Sequence, residues 1–599
     1  MFKNFDKNTI IGALLIMTMV MVYFKYSTDQ AKKRLEKERL EAKFRAKNTA
    51  HSMEVKSLDS NKNTTEALDT NILTAPVLVK GEDLLLSNEL ISLKVNTTGG
   101  KVHSVSLKKH TTYEEKPVEI LPEKYTDFDL TFITPKGSLI SKTTGFQIIS
   151  KDSQKIELQS ANGLRVIYEL KPNSYKLSQK WLLPNGKGNK ATLTLATQMN
   201  KQEVNLERER SLSTIKYLPE NEDVLQSLSM TSNELKEVPS PIQWVSFGQQ
   251  FFHATIIPSV SFQNSSFDVK YKESDKSYVK DYTLKTELGN IGDTLGFDYF
   301  IGPIDYKLLK KEEKDLDLLV PLSQDFILFR WMKIFNIYLI LPIFNFLSQF
   351  ISNYGVIIIL LTLFIKLITA PLSYKTYESG VAMRILKPEL DKLKAKFGDD
   401  QAKLSQEQMK LYGEFGVSPF GGCLPMLLQM PILFAMFSFF PSSIELRHES
   451  FLWASDLSTY DTLVKLPFNI PFYGAHISLF ALLSALTQIG MSWYSQRLQP
   501  SSPQADQMKM LMYIMPVMFL FMFNSFPAAL TFYYFLQNIL GMAQQWFFTT
   551  FIIKEEKIRA KMELAKKTPK KQSAFQKKMA EMMEEAEKQK KLQQNQKKK

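Results

Sequence analysis

The 599-residue sequence predicts a multi-domain α+β membrane protein, and three observations carry that prediction. An uncharged apolar run stands near the start, at 8–24. Short segments that alternate apolar and polar residues, with turn residues between them, fill 78–320. Five long apolar stretches follow at 354–372, 423–441, 477–494, 510–526 and 527–553. The first reads as an anchor helix and the second as an antiparallel sandwich with one face solvated. The third reads as a bundle of spans, each near the ~17 to 25 residues that cross a ~30 Å hydrocarbon core.

Taken in order, NTIIGALLIMTMVMVYF at 8–24 follows Lys3 and Lys7 and is succeeded by Lys25, with no small-x-small cleavage site close behind it. Residues 1–25 are therefore a retained transmembrane anchor rather than a signal peptide. Residues 26–77 comprise a solvated charged helix, 29–47, and a Ser-, Thr-, Asn- and Asp-rich linker that buries too little apolar area to order itself. In the sandwich, 78–320, the clearest strands are 88–95, 101–109, 164–170 and 190–197, with turns at Gly99-Gly100, Pro172-Asn173 and Pro184-Asn185-Gly186. Residues 321–353 hold an interfacial amphipathic helix, because 331–350 carries Lys333, Asn336, Asn345 and an internal Pro342. The membrane core occupies 354–553. Its loop 373–422 forms two amphipathic helices, about 374–396 and 402–414, broken at Gly398-Asp399-Asp400. A basic tail, 554–599, closes the chain.

The net charge of +14 suits an anionic membrane surface or nucleic acid. The tail contributes most, with 16 basic against 7 acidic residues, whereas the loop 373–422 has 8 against 7. Loop 442–474 carries only Arg447 and Lys465, so the tail and loop 373–422 face the cytoplasm. Counting spans back places the sandwich outside and the N-terminus inside. Nine basic residues just after the first span oppose this, but long translocated domains escape the charge rule.

Enzyme chemistry finds no support. Cys423 is the one cysteine, which excludes an internal disulfide framework and cysteine zinc clusters. The histidines at 51, 103, 110, 253, 448 and 476 form neither an HExxH pair nor a partnered triad, and no Walker loop or GxGxxG occurs. The expectation is no cofactor, no metal and no catalytic residue.

The informative residues are polar ones inside the spans. Lys366 lies six residues from the end of its span, where a central cation costs roughly 2.5 to 3.5 kcal/mol on insertion scales. It either snorkels to the cytoplasmic interface or faces a hydrated cavity, and Thr362, Thr369 and Ser373 extend a polar stripe on its face. Similar stripes are Ser484, Gln488 and Ser492, and Tyr534, Gln537, Gly541 and Gln545; Gln429 lies in the second of the five spans. Interhelical hydrogen bonding is the alternative use of such residues. Six methionines at 508, 510, 512, 515, 518 and 522 fit either a lipid-facing surface or an adaptable slide for apolar segments.

Four collinear stretches, YGVIIILLTLFIKLITAPL at 354–372, LYGEFGVSPFGGCLPMLLQMPI at 411–432, ELRHESFLWASDLSTYD at 445–461 and FPAALTFYYFLQNILGMAQQ at 526–545, resemble the YidC/Oxa/Alb family of membrane protein insertases. WVSFGQQFFHATIIP at 244–258 and FDYFIGPIDYKLL at 297–309 resemble the end of the periplasmic domain in its Gram-negative form. The resemblance implies a galactose-mutarotase-like supersandwich in the periplasm and a five-helix insertase core with a cytoplasmic helical hairpin. It also implies a groove open to cytoplasm and lipid. By position, Lys366 matches the groove cation, commonly Arg in the family, and Thr362 a groove-lining residue. Tyr533 and Tyr534 match a pair that contacts the client; Gln429 and Gln537, read from the polar residues of the spans, are expected to join them in the groove. Lysine keeps the charge but loses the planar fork. Ser418 stands where Asn is usual before Pro419.

The expected function is insertion, folding and assembly of integral membrane proteins, alone and with the Sec translocon. The partners implied are nascent membrane proteins, the ribosome (through tail and cytoplasmic loops) and the lipid bilayer. The expected place is the inner membrane, multi-pass, with both termini cytoplasmic and residues 26–353 periplasmic. A channel or secondary transporter with an extracytoplasmic binding domain is the alternative.

Overall fold

The computed structural model describes residues 81–567 except 135–136, 185–189, 313, 323–332, 399–400, 418–423, 471–472 and 498–502. The anchor, charged helix and linker expected over 1–77, and the tail beyond 567, lie outside the described residues. So do the side chains of 401–402, 405, 424–429, 496–497 and 503–512.

The β-rich domain contains two antiparallel sheets. In the first, β1 (Asp83–Ser87), β2 (Ile91–Asn96), β3 (Lys101–Thr111) and β4 (Pro117–Leu121) pair in chain order. The strand expected at 88–95 starts later than its alternation indicates, because Asn88 turns the chain. Its side chain accepts from the backbone N–H groups of Leu90 and Ile91 at 2.8 and 2.9 Å and donates to the carbonyls of Lys171 and Ser174. Gly99 and Gly100 make the β2–β3 turn at φ +84° and +50°, which glycine adopts without a Cβ clash.

The second sheet links fifteen strands among the described residues between Asp127 and Pro303. Lys190–Asn200 is the third strand from one end of the main path, paired with Asp127–Thr134 on one side and Tyr278–Gly289 on the other. The expected strand Arg165–Leu170 alternates exposed and buried residues, and Val166, Tyr168 and Leu170 enter the core. There Trp181 meets Phe132 and Phe146 at 5.8 and 6.0 Å. Each such fully buried side chain contributes roughly 1.5 to 3 kcal/mol. Some strands after Thr214 escape the alternation rule. Ile242–Gly248, for example, is buried on both faces and so lacks a two-residue period.

The helices of the described chain are α1 (Leu206–Leu212), α2 (Tyr306–Lys310), α3 (Lys333–Leu347), α4 (Tyr354–Ile385), α5 (Lys387–Phe397), α6 (Gln401–Glu414), α7 (Leu424–Ser442), α8 (Leu479–Arg497), α9 (Pro503–Phe523), α10 (Ala528–Phe547) and α11 (Glu555–Lys567). Helices α4, α7, α8, α9 and α10 coincide with the five apolar stretches. Among the described residues, α4 alone is long and apolar enough by composition to cross a membrane. In α3, Asn336 is buried and donates to the carbonyls of Leu322 and Ala435 at 2.7 and 3.0 Å, so this polar residue is a clamp onto α7 rather than part of a solvated face. The opposite side of α3 exposes Ile334, Tyr338 and Phe346.

The loop 373–422 differs from expectation in one respect. Residues 374–385 continue α4 without a break, and the chain divides at Leu386, not only at Gly398. Pro388 in the first turn of α5 has no N–H for the carbonyl four residues back, and its ring suits the start of a helix, so the division falls here. A second, smaller core forms there from Val381, Leu386, Leu390, Tyr412, Ile558 and Met562. It docks α11 on the end of α4, aided by Lys561–Glu378 at 3.0 Å and Arg384–Glu555 at 3.4 Å.

The sandwich is joined to the helical half by a buried ion pair. Arg447, in the loop after α7, donates from Nε to Glu203 at 2.7 Å and from Nη2 to the Gln202 carbonyl at 3.4 Å. Glu209 on α1 lies behind it, accepting from the N–H groups of Gln202 and Glu203. Burial raises both carboxyls above their ordinary range. Glu209 moves further because the Glu203 charge opposes its own, while Arg447 pulls Glu203 back.

Candidate functional site

Helix α10 is the centre of the helical half, contacting α4, α7 and α8. Tyr534, Gln537, Gly541 and Gln544 recur at helical spacing along one face of it. Lys366 of α4 reaches this face. A Cβ built on Gly541 would lie 3.2 Å from Lys366 Nζ, so the bare glycine backbone makes the space that the ammonium occupies. Lys366 is half-buried, and its ammonium has no hydrogen-bond or ion-pair partner among the described residues.

Three polar atoms on this face of α10 are also unengaged. Tyr534 Oη, Gln537 Oε1 and Gln544 Oε1 are buried with no hydrogen-bond partner among the described residues. Gln544 Nε2 approaches the Lys366 carbonyl at 3.4 Å, which ties α10 to α4 beside the cation. The sequence stripe contained Gln545 instead, four residues past Gly541; spacing alone did not single out its neighbour Gln544, which is the residue that reaches α4. Gln545 accepts from Ser495 at 3.2 Å and Asn538 donates to Ser484 and Thr487, so this second stripe serves α8–α10 packing.

The other expected residues divide. Thr362 is fully buried and its hydroxyl donates to the Ile358 carbonyl at 2.6 Å, within its own helix. Tyr533 and Tyr534 are both buried and diverge: Tyr533 packs on Phe440 at 5.7 Å, and Tyr534 lies between Phe437 and Phe523 at 5.7 and 4.7 Å. Gln429 is in α7, with its side chain outside the described residues. Of the methionines with described side chains, Met518 and Met522 are exposed on α9, as a lipid-facing surface requires.

The described histidines have structural partners. His253 is buried, meets Thr255 Oγ1 at 2.7 Å, and is driven by burial to a pKa of about 3. His110 packs edge-on against Phe252, and burial lowers it to about 4. Asp83, His103 and Glu123 lie close enough to share a cation. Lys94 already neutralises Glu123 at 2.8 Å, and Asn96 donates to Asp83 at 2.6 Å.

A family model described as the 60Kd inner membrane protein matches residues 346–556, and one described as the YidC periplasmic domain matches 84–334. Two similar relatives, both named membrane protein insertase YidC, come from Amoebophilus asiaticus and Parabacteroides distasonis. The first is 35% identical, covering 93% of this chain and 94% of its own; the second is 33% identical, covering 96% and 97%. A crystal structure titled as an active YidC insertase with its first transmembrane domain resolved is 19% identical over 80% of this chain and 94% of its own, with a TM-score of 0.33. The two family models meet on the two halves described above, the sandwich and the helical core. On these near-full-length sequence matches the chain belongs to the YidC family of membrane protein insertases, bacterial inner-membrane proteins that are not enzymes.

Proposed function

We propose that this insertase works through a groove between α4 and α10 in which Lys366 is the working cation. The observation that carries this reading is the unpartnered ammonium over Gly541, on a face of α10 that also bears three buried polar atoms without partners, on Tyr534, Gln537 and Gln544. A cation held this way attracts the acidic hydrophilic flank of a client, in surroundings where Coulomb attraction is screened less than in bulk water. Gln537, Tyr534 and Gln544 then offer acceptors to the donors of that flank, while Thr362, Tyr533 and Gln429 shape the groove walls. The apolar part of the client leaves sideways into lipid. No metal or cofactor takes part.

In this reading the chain is multi-pass, both termini are cytoplasmic, and residues 26–353 are periplasmic. The supersandwich lies outside, the helix within 321–353 rests at the interface, and the five-span core at 354–553 carries the cytoplasmic hairpin 373–422. The tail, 554–599, and cytoplasmic loops meet the ribosome through charge, and the protein also acts beside the Sec translocon.

The test is insertion yield in proteoliposomes for two clients that differ only in the charge of the translocated segment. Lys366→Arg retains both. Lys366→Ala lowers the acidic client by about tenfold while sparing the neutral one, and Lys366→Glu lowers it further. Equal yields for both clients with Lys366→Ala would defeat the groove-cation reading, and a solute flux through the parent protein would favour a channel.

A further inference from the structure

The loop between α7 and α8 holds a two-stranded hairpin, Val464–Ile470 with Gly474–Ile477, that neither the sandwich nor the groove uses. One side of it is firmly rooted. Asn524, fully buried just past the end of α9, donates from Nδ2 to the carbonyls of Tyr473 and His476, both at 2.8 Å. Its Oδ1 accepts from Ser478 N–H at 2.9 Å, its carbonyl meets His476 Nε2 at 2.7 Å, and Tyr460 stacks on His476 at 3.7 Å.

So well-anchored a strand would ordinarily bury one face. Val464–Ile470 buries neither: Val464, Phe468 and the preceding Leu463 are exposed, Phe468 at 61%. No charged residue lies between Lys465 and His476. This apolar surface joins another. The Tyr473 ring meets Phe521 edge-on at 5.3 Å, and Phe521 belongs to the exposed apolar side of α9 with Ile514, Val517 and Met518.

We propose that the 464–477 hairpin lies in the headgroup boundary of the outer leaflet, continuing the lipid-facing surface of α9. The inference rests on reading α9 as a membrane span. Two physical limits set the depth. A two-stranded ribbon has open edges whose N–H and C=O groups are unsatisfied in hydrocarbon, so it cannot sink into the core. Exposed Phe, Leu and Val gain by leaving water, so it does not stand off in solvent either. At the boundary both are satisfied, and Lys465 at the root meets lipid phosphates.

The test uses the full chain with Cys423→Ser, an environment-sensitive fluorophore on Phe468→Cys, and a reference label on Met518→Cys in α9. Each is reconstituted in phosphatidylethanolamine–phosphatidylglycerol vesicles that carry nitroxide at either the headgroup or the middle of the acyl chain. The Phe468 label is expected to resist aqueous iodide and to be quenched about twofold or more by the headgroup nitroxide over the mid-chain one, with the Met518 label showing the reverse. A Phe468 label open to iodide and quenched by neither lipid, while Met518 is quenched at mid-chain, overturns the proposal and points to a water-exposed or protein-facing hairpin. A Met518 label quenched by neither lipid overturns the span reading itself, and the proposal with it.

Discussion

Lys280 in the sandwich and Lys366 in the helical half are both withdrawn from bulk water, and the fold treats them in opposite ways. Lys280 is completely buried and donates to the carbonyls of Ser213 and Met230, both at 2.7 Å, with the Tyr271 ring 5.3 Å away. Burial, and then Arg210, lower its pKa to about 8. Lys366 has space above Gly541 and no such partners among the described residues. A buried cation with its donors engaged holds a structure together. A cation left with free donors is available to something that arrives, and it is on this difference that the role proposed for Lys366 rests.

Three substitutions sharpen or break that contrast. The largest loss of stability is expected at the junction, where Arg447→Ala leaves Glu203 buried and unpaired, at about 3 to 5 kcal/mol. Chemical denaturation in detergent reads it, and the double variant Arg447→Met with Glu203→Leu should recover most of the loss. A loss below about 1 kcal/mol would mean that this pair does not join the two halves.

Next is Lys280→Met, which orphans two buried carbonyls and costs about 2 to 4 kcal/mol while leaving client discrimination by charge unchanged. If Lys280→Met altered insertion of acidic over neutral clients in material that stays folded, the division between the two lysines would fail. The smallest loss belongs to Lys366→Ala. With no partner to orphan, its midpoint of unfolding should stay within about 1 kcal/mol of the parent or rise. A larger fall would show that Lys366 is also structural.

The two halves were legible to different degrees, for physical reasons. Alternation located Arg165–Leu170 and Lys190–Asn200 because each has one face in the core and the other less covered. It missed Ile242–Gly248 and Phe252–Pro258, which are covered on both sides. The apolar runs located the long helices but not all of their ends: α4 runs on to Ile385, past the apolar run that ends at 372. What linear spacing could not supply was the cross-chain fit. That Gly541 sits under Lys366, that Thr362 returns its hydroxyl to its own helix, and that Arg447 pairs with Glu203, 244 residues away, depend on which helices and strands become neighbours. Family resemblance pointed to the groove residues; the geometry separated those with free polar atoms, Gln537 and Tyr534, from those already engaged.

Pro371 gives α4 a mechanical character. The helix runs from Tyr354 to Ile385 with this proline inside it, one turn beyond Lys366. Lacking an N–H, Pro371 leaves the Leu367 carbonyl without its rung, and a helix bends most readily where a rung is missing. Beyond that point α4 carries the docked α11 through Glu378 and Arg384. The body built on α11 is thus joined to the helix that carries Lys366 across a missing rung. A pull on α11 is expected to bend α4 at Pro371 before it shifts Lys366.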